Sequence, residues 1–198
     1  MTAKSTPTPG FHRFLFLFIY LSLPNLCFAQ SDPPSNTKPH WSGGIGLSSG
    51  LSYTGFNMYL MPEVSYGKHN LSIGPKYVVS DSYVPYKNVW GYNINYRYDI
   101  MTYKHWRSGI SFDFQSAFYK PNNPYNLDVG NKHNKIHEMF VVLSLFYHFT
   151  KERRYYVGLD IGSGFFSESY HDLVIGKVNR NFGRTNMVTF TIGYKIFK

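Results

Sequence analysis

Long apolar runs are missing from most of this chain. Beyond the N-terminal segment no stretch approaches the roughly 20 apolar residues a membrane-spanning helix requires, and the mean hydropathy is −0.30. A bundle of spanning helices is therefore excluded. Cysteine is nearly absent: Cys27 is the only one in 198 residues. It lies in a segment expected to be removed, which leaves no thiol and suits an oxidising compartment. Charge is scarce as well, at 16% of residues, where a soluble domain carries about a quarter. Aromatics, by contrast, reach 19%, with 18 Tyr and 17 Phe. Little charge with many aromatics implies a β protein with much surface out of water.

Acidic residues are outnumbered, 11 against 20 Lys and Arg, for a formal charge of +9. Such an excess suits nucleic acid or an anionic membrane surface. The cations are not grouped into a stripe and fall mostly in loops and turns, so the membrane surface is expected and nucleic acid is not.

The first residues resemble an export signal. Lys4 and Arg13 form a positive start, Phe14 to Leu23 (FLFLFIYLSL) is apolar, and Pro24 breaks it. Cys27-Phe28-Ala29 places small residues where cleavage before Gln30 needs them. Pro24-Asn25-Leu26 is a poor approach to a lipidated cysteine. Residues 1–29 are thus expected to be a signal peptide, and their loss lowers the charge from +9 to +7. Residues 30–40, which begin QSDPPSNTK, form a polar, Pro-rich lead-in expected to be disordered in the periplasm.

From Trp41 the chain alternates with period two. Segments of about 10 to 14 residues, the length a tilted spanning strand needs, are expected over Trp41–Leu51, Phe56–Tyr66, Leu71–Val79 and Val89–Tyr98. Four more are expected over Ser108–Tyr119, Ile136–Phe149, Tyr155–Phe165 and Thr185–Phe197. In the fourth, Trp90, Tyr92, Ile94, Tyr96 and Tyr98 alternate with Gly91, Asn93, Asn95 and Arg97; in the eighth, Val188, Phe190, Ile192, Tyr194 and Ile196 alternate with Thr189, Thr191, Gly193 and Lys195. The sixth is apolar on both faces at its centre (MFVVLSLF).

Alternation alone also fits a soluble secreted barrel that carries an apolar ligand. Side-chain size separates the two. A water-facing polar side would carry long charged residues; here it is mainly Gly, Ser, Asn and Thr, which suit the cramped interior of an eight-strand barrel. Trp41, Tyr66, Tyr98, Trp106, Tyr155 and Tyr194 gather at one set of segment ends, and Phe56, Trp90 and Phe165 at the other, as interfacial girdles do. Short turns are expected at Gly67–Asn70, Asp99–Arg107 and Thr150–Arg154. Outer loops are expected at Ser52–Gly55, Ser80–Asn88, Tyr119–Lys135 and Phe166–Arg184, long in all but the first. The expected fold is all-β: a closed antiparallel up-and-down transmembrane barrel of about eight strands, covering residues 41–198. It would sit in the outer membrane of a Gram-negative envelope. The closing segment TFTIGYKIFK suits recognition by barrel-insertion machinery, although Lys198 departs from a final aromatic.

The inward parity collects Glu63, Asp113, Glu138 and Asp160 with Lys76, Arg97, Lys195 and His148. Buried charges require partners, so these residues are expected to form a paired polar network that closes the interior. Lys177, Arg180 and Arg184 are expected to meet the anionic sugar–phosphate surface, lipopolysaccharide included, and Leu173-Val174-Ile175 is an apolar tip that could extend a hairpin. No catalytic, cofactor or metal site emerges. His133 and His137 are four apart on a strand, about 13 Å, too far to share an ion, and Gly162-Ser163-Gly164 lacks the Lys of a phosphate loop. A lipid A-modifying barrel remains an alternative, built at most from His137 with Ser116, or with Ser167 and Glu168.

Segment number, alternation and loop asymmetry over Trp41–Phe197 resemble the small outer-membrane barrel group typified by the OmpA transmembrane domain and OmpX-like proteins. No diagnostic motif is involved. The resemblance implies an envelope or surface-interaction role for a monomer. It transfers no functional residue.

Overall fold

The computed structural model describes residues 40–80, 89–119, 134–149, 154–172 and 176–197. The expected signal peptide, most of the lead-in, the 81–88 and 120–133 loops, the 150–153 turn and the 173–175 tip lie outside them.

Eight antiparallel strands close into a barrel in sequence order. They are β1 (Trp41–Ser52), β2 (Gly55–Tyr66), β3 (His69–Ser80), β4 (Trp90–Tyr103), β5 (Trp106–Tyr119), β6 (Asn134–His148), β7 (Tyr155–Asp172) and β8 (Lys177–Phe197). β8 returns to β1, with Leu51 opposite Val188 and Gly44 opposite Lys195. All ladders inside the closed wall are thus paired, which removes the edges an open sheet would expose.

Period two drives the assembly. On β2 buried Asn57, Tyr59, Met61, Glu63 and Ser65 alternate with Met58, Leu60, Pro62, Val64 and Tyr66, which face out. The outward side chains are large and apolar all round the wall, as with Leu47, Ile73, Phe112, Val141 and Ile192. The polar and small parity fills the lumen, so the usual inside and outside of a soluble domain are exchanged.

Aromatic rings pair across strands at both rims. Near the rim of Trp41 and Phe197, here the terminal rim, Trp41–Tyr66, Trp106–Tyr147 and Tyr155–Tyr194 have ring centroids 4.9, 4.8 and 4.9 Å apart. Toward the far rim Trp90 meets Phe118 at 5.3 Å.

The register also defines a stagger. One ladder row runs Ser49, Met58, Tyr77, Trp90, Phe118, Lys135, Ser169, Arg180 through successive strands. Ser49 itself pairs back to Phe190, ten residues from Arg180 along β8. This offset tilts the strands, in the range of about 35–45° typical of closed barrels, and lifts the β7–β8 wall above β1.

Several boundaries differ from the sequence reading. Asp99–Arg107 is not a turn: β4 runs on to Tyr103 and β5 starts at Trp106, leaving Lys104-His105 as the connection. A bulge between Asp99 and Met101 shifts the phase, so the alternation that marks a strand is lost there. Phe166–Arg184 is not an outer loop but an antiparallel ribbon, with Phe166 opposite Gly183 and Asp172 opposite Lys177. Beyond Ser169 the ribbon has no third strand beside it, and its polar residues lie on both faces.

The inward glycines of β7 and β8 hold space for rings. A Cβ at Gly193 would overlap the Tyr156 ring, and one at Gly158 would overlap Phe146. Gly193→Val is expected to cost about 1–3 kcal/mol by overpacking in urea unfolding. Adding Tyr156→Ala should recover part of that loss; a strictly additive double variant would show that the two positions do not share this space.

Candidate functional site

The barrel interior is filled from both ends. Toward the far rim the central group is Lys76, 1% exposed. Its Nζ donates to Glu138 Oε2 at 2.8 Å, Gln115 Oε1 at 2.8 Å and Thr54 Oγ1 at 2.7 Å. An ammonium has three protons, and these three acceptors use them all. β3 and β6 stand three strands apart, so the Lys76–Glu138 pair spans the lumen. Glu138 also accepts from the Tyr53 N–H at 2.9 Å and the Ser52 hydroxyl at 3.2 Å. Gln115 extends the network: its Oε1 accepts from the Tyr59 hydroxyl at 3.0 Å and its Nε2 donates to Asp113 Oδ1 at 2.8 Å. Asp113 is further held by Asn93 Nδ2 at 2.9 Å and Asn95 Nδ2 at 3.0 Å. Its charge is thus met by neutral N–H donors.

Above this network the lumen is apolar. Val78, Val89, Ala117, Tyr119 and Ile136 form a buried cluster with Tyr53 packed against it. Tyr119 donates to Glu168 Oε1 at 2.6 Å, and Tyr53 stacks on Phe166 with centroids 3.6 Å apart. The central apolar run of β6 explains itself here: Phe140 and Val142 cluster with Met187 inside, while Met139 and Val141 face out.

Toward the terminal rim a second set of charges closes the barrel. Lys195 meets Glu63 at 2.8 Å and donates to Ser65 Oγ at 3.0 Å. Arg97 Nε donates to Asp99 Oδ1 at 2.9 Å, and Arg107 approaches Asp99 Oδ2 at 3.5 Å. The Arg97 guanidinium also lies 3.9 Å from the Phe146 ring centroid, within cation–π range. His148 is buried beside Tyr156, with centroids 5.6 Å apart.

Between the two sets lies a cavity of about 50 Å³ lined by Glu63, Arg97, Asp113, Tyr156 and Asp160, among others. At roughly 10–15 Å³ per water by the same measure, it has room for a few waters. Asn93 Oδ1 and Thr189 Oγ1 have no protein partner and both line this space, which makes it polar enough to be hydrated.

The eight residues expected in the lumen (Glu63, Lys76, Arg97, Asp113, Glu138, His148, Asp160 and Lys195) all lie on the inward parity. The expected lumen set omitted Thr54, Gln115, Asp99, Tyr119 and Glu168, although Gln115 falls on the polar parity of the fifth segment. Asp99 was hidden by the bulge, and Tyr53 and Thr54 sit in the connection after β1, where alternation carries no signal. Of the expected surface cations, Arg180 and Arg184 face out on β8, whereas Lys177 is on the opposite parity, in register with Asp172.

The candidate hydrolase residues divide between faces. Ser116, His137 and Ser167 are neighbours in one outward row, and Ser116 Oγ lies 3.0 Å from His137 Nδ1. Glu168, however, points into the lumen toward Tyr119 and Tyr53. The trio of His137, Ser167 and Glu168 is therefore not one site: successive strand residues face opposite ways. Among the described residues no group of three or more His, Cys, Asp or Glu is placed to hold a metal ion.

No protein-family description and no curated protein matches this sequence. Among solved structures the chain is similar to a major outer membrane protein from Thermus thermophilus, with 13% identity, a TM-score of 0.41, and 79% of this chain and 99% of that one covered. It is also similar to Neisserial surface protein A, with 12% identity, a TM-score of 0.40, and 78% and 94% covered.

The Lys76 network has a sharp energetic signature. Glu138→Ala leaves a buried ammonium without its counter-charge and is expected to cost about 3–5 kcal/mol. Lys76→Met/Glu138→Leu should restore most of it, measured as the urea midpoint of the folded barrel. A Glu138→Ala protein as stable as the parent would mean that the pair does not hold the lumen.

Proposed function

We propose that this chain is a monomeric, non-conducting outer-membrane barrel that acts at the cell surface through its β7–β8 ribbon. The membrane reading is supported by the continuous outward belt of Leu, Ile, Val, Phe and Met around the wall, bounded by aromatic rings. Soluble monomers rarely expose apolar patches beyond a few hundred Å². In hydrocarbon such a belt is favourable, and a closed ladder leaves no backbone group unpaired. Closure also removes the need for a partner chain, in keeping with a monomer. The outer membrane follows from the strand-borne crossing, together with the expected signal peptide and insertion machinery.

The surface role rests on one observation. β8 begins at Lys177, yet its pairing with β1 starts only at Val188. Among the described residues, 177–187 have no strand on that side. At about 3.4 Å per residue this is an edge of roughly 35 Å, a template to which an extended segment of another protein can add as a strand. Polar and charged residues on the ribbon keep it soluble while its backbone stays available.

The interior is read as a plug rather than a path. The Tyr119 cluster, the Lys76 network and the Arg97–Asp99 and Lys195–Glu63 pairs succeed one another along the lumen. The chain is also read as non-enzymatic: Ser116 is 0% exposed, and no described carboxylate shares its face with His137.

Electrophoresis tests the barrel reading: the detergent-folded chain should migrate faster unboiled than boiled and fractionate with the outer membrane. Cutting the ribbon back to Ser169 and Arg180 with a two-residue turn leaves Phe166 and Glu168 in the lumen and the pairing with β6 intact, and should keep both properties. It should weaken capture of extended peptides by the intact protein on cells, and undiminished capture would remove the ribbon from the role. Ser116→Ala/His137→Ala should leave the lipid A mass spectrum unchanged; an altered spectrum would reinstate the enzyme.

A further inference from the structure

All described carboxylates on the strands have inward parity, so the outward wall holds no anion. It does hold cations, gathered on one side. Lys135 of β6 and Arg180 of β8 lie in the same ladder row, separated by Ser169; Arg184 lies on the same face of β8. All three are exposed, and none has a carboxylate partner among the described residues. In the same ladder row β1 to β4 carry no cation: the outward side chains are Ser49, Met58, Tyr77 and Trp90.

Their height follows from the register. Phe118 of the far girdle shares the row of Lys135 and Arg180. With strands about 4.8 Å apart and tilted about 40°, the row climbs about 9 Å from β5 to β8. Arg184 lies four residues back along β8, a descent of about 10 Å, and so returns to the level of Phe118. Lys135 stands about 3 Å above that level by the same geometry. The three cations therefore run from the girdle upward, where headgroups begin.

Apolar rings stand among them. Phe182, 70% exposed, lies two residues from each arginine on the same face, and it stacks on Phe165 with centroids 5.7 Å apart and planes 9° from parallel. Arg184 is in register with Phe165. Cations beside a flat apolar platform, at the edge of hydrocarbon, match an amphiphile with an anionic head and greasy tails.

We propose that Lys135, Arg180 and Arg184 bind the phosphate of a phosphorylated lipid of the surrounding leaflet, whose first tail segment lies on Phe165 and Phe182. The inference rests on the membrane reading above and deepens it to one wall and one headgroup class. Two guanidinium forks suit the planar, multi-oxygen recognition of a phosphate. The aromatic platform commits the site to a lipid rather than to free phosphate, which has no tail to place there.

The full chain in phosphatidylcholine nanodiscs, doped with either phosphatidic acid or diacylglycerol, tests this by native mass spectrometry of retained lipid. The parent should retain phosphatidic acid in preference to diacylglycerol. Lys135→Ala/Arg180→Ala/Arg184→Ala should lose that retention by about tenfold or more, as expected when several charge-assisted bonds are removed. Phe182→Ala should lose part of it. Lys68→Ala/Lys104→Ala, at the other rim, should lose none, and added inorganic phosphate should not displace the lipid. Equal retention by the parent and the triple variant, equal loss in the other-rim variant, or displacement by inorganic phosphate would each overturn the site. A chain that inserts and shows the boiling-dependent gel shift without lipid preference sinks this site alone. A chain that fails to enter the discs sinks the membrane reading and the site with it.

Discussion

Closure of the sheet by β8 on β1 is the constraint from which the other features follow. Once Gly44 faces Lys195 and Leu51 faces Val188, every strand inside the wall has two neighbours, and the backbone needs nothing from its surroundings. Only then can a belt of Leu, Ile and Phe face outward at no hydrogen-bonding cost. The same closure makes the interior a fixed volume. Eight strands leave a lumen that side chains alone must fill, so the inward parity is bound by size as tightly as by polarity.

That volume limit explains how glycine and charge are distributed together. Gly158 and Gly193 are inward yet carry no side chain, because Phe146 and Tyr156 from neighbouring positions occupy their space. Long inward side chains end on carboxylates instead: Lys76 and Lys195 on other strands, Arg97 on Asp99 of its own strand. A small cavity between these layers has room for a few waters. Buried ion pairs are weak sources of stability but severe penalties when broken. Their effect here is to allow one packing of the lumen: Lys76 has three acceptors from three different segments, and a register slip would turn it to the lipid side.

The sequence disclosed the fold wherever one face of a strand was buried and the other was not. Trp90 to Tyr98 and Val188 to Ile196 could be read residue by residue, and with them the inward position of Arg97 and Lys195. Legibility failed where that contrast failed. The bulge after Asp99 put Ile100 and Met101 out of phase and disguised seven strand residues as a turn. The ribbon from Phe166 to Arg184 has a buried side only near Phe166 and Glu168, so SESYHD and VNRNFGR show little alternation although they pair throughout. Pairing partners were beyond reach for a different reason. That Lys76 meets Glu138, and Lys195 meets Glu63, depends on the shear of the barrel, which no single strand encodes. The Ser116–His137–Ser167 row was legible only as a possibility for the same reason, whereas the opposition of Ser167 and Glu168 follows from parity alone.

The stagger of ten residues ties the surface features to the lumen. Because each row climbs toward the far rim as it passes from β1 to β8, the last two strands must rise above the first. The ribbon is thus a continuation of the wall rather than an appended loop, and its free edge is the edge the closing pair cannot reach. The same climb brings Lys135 and the two arginines to the upper boundary of the apolar belt, on the one side where the wall is tall enough to hold charge above hydrocarbon. Cations at that height on β1 would lie on strand residues that do not exist, since β1 ends at Ser52. Shear therefore determines which wall can present an edge to proteins and a phosphate site to lipid, and it assigns both to β7–β8 and the adjoining end of β6.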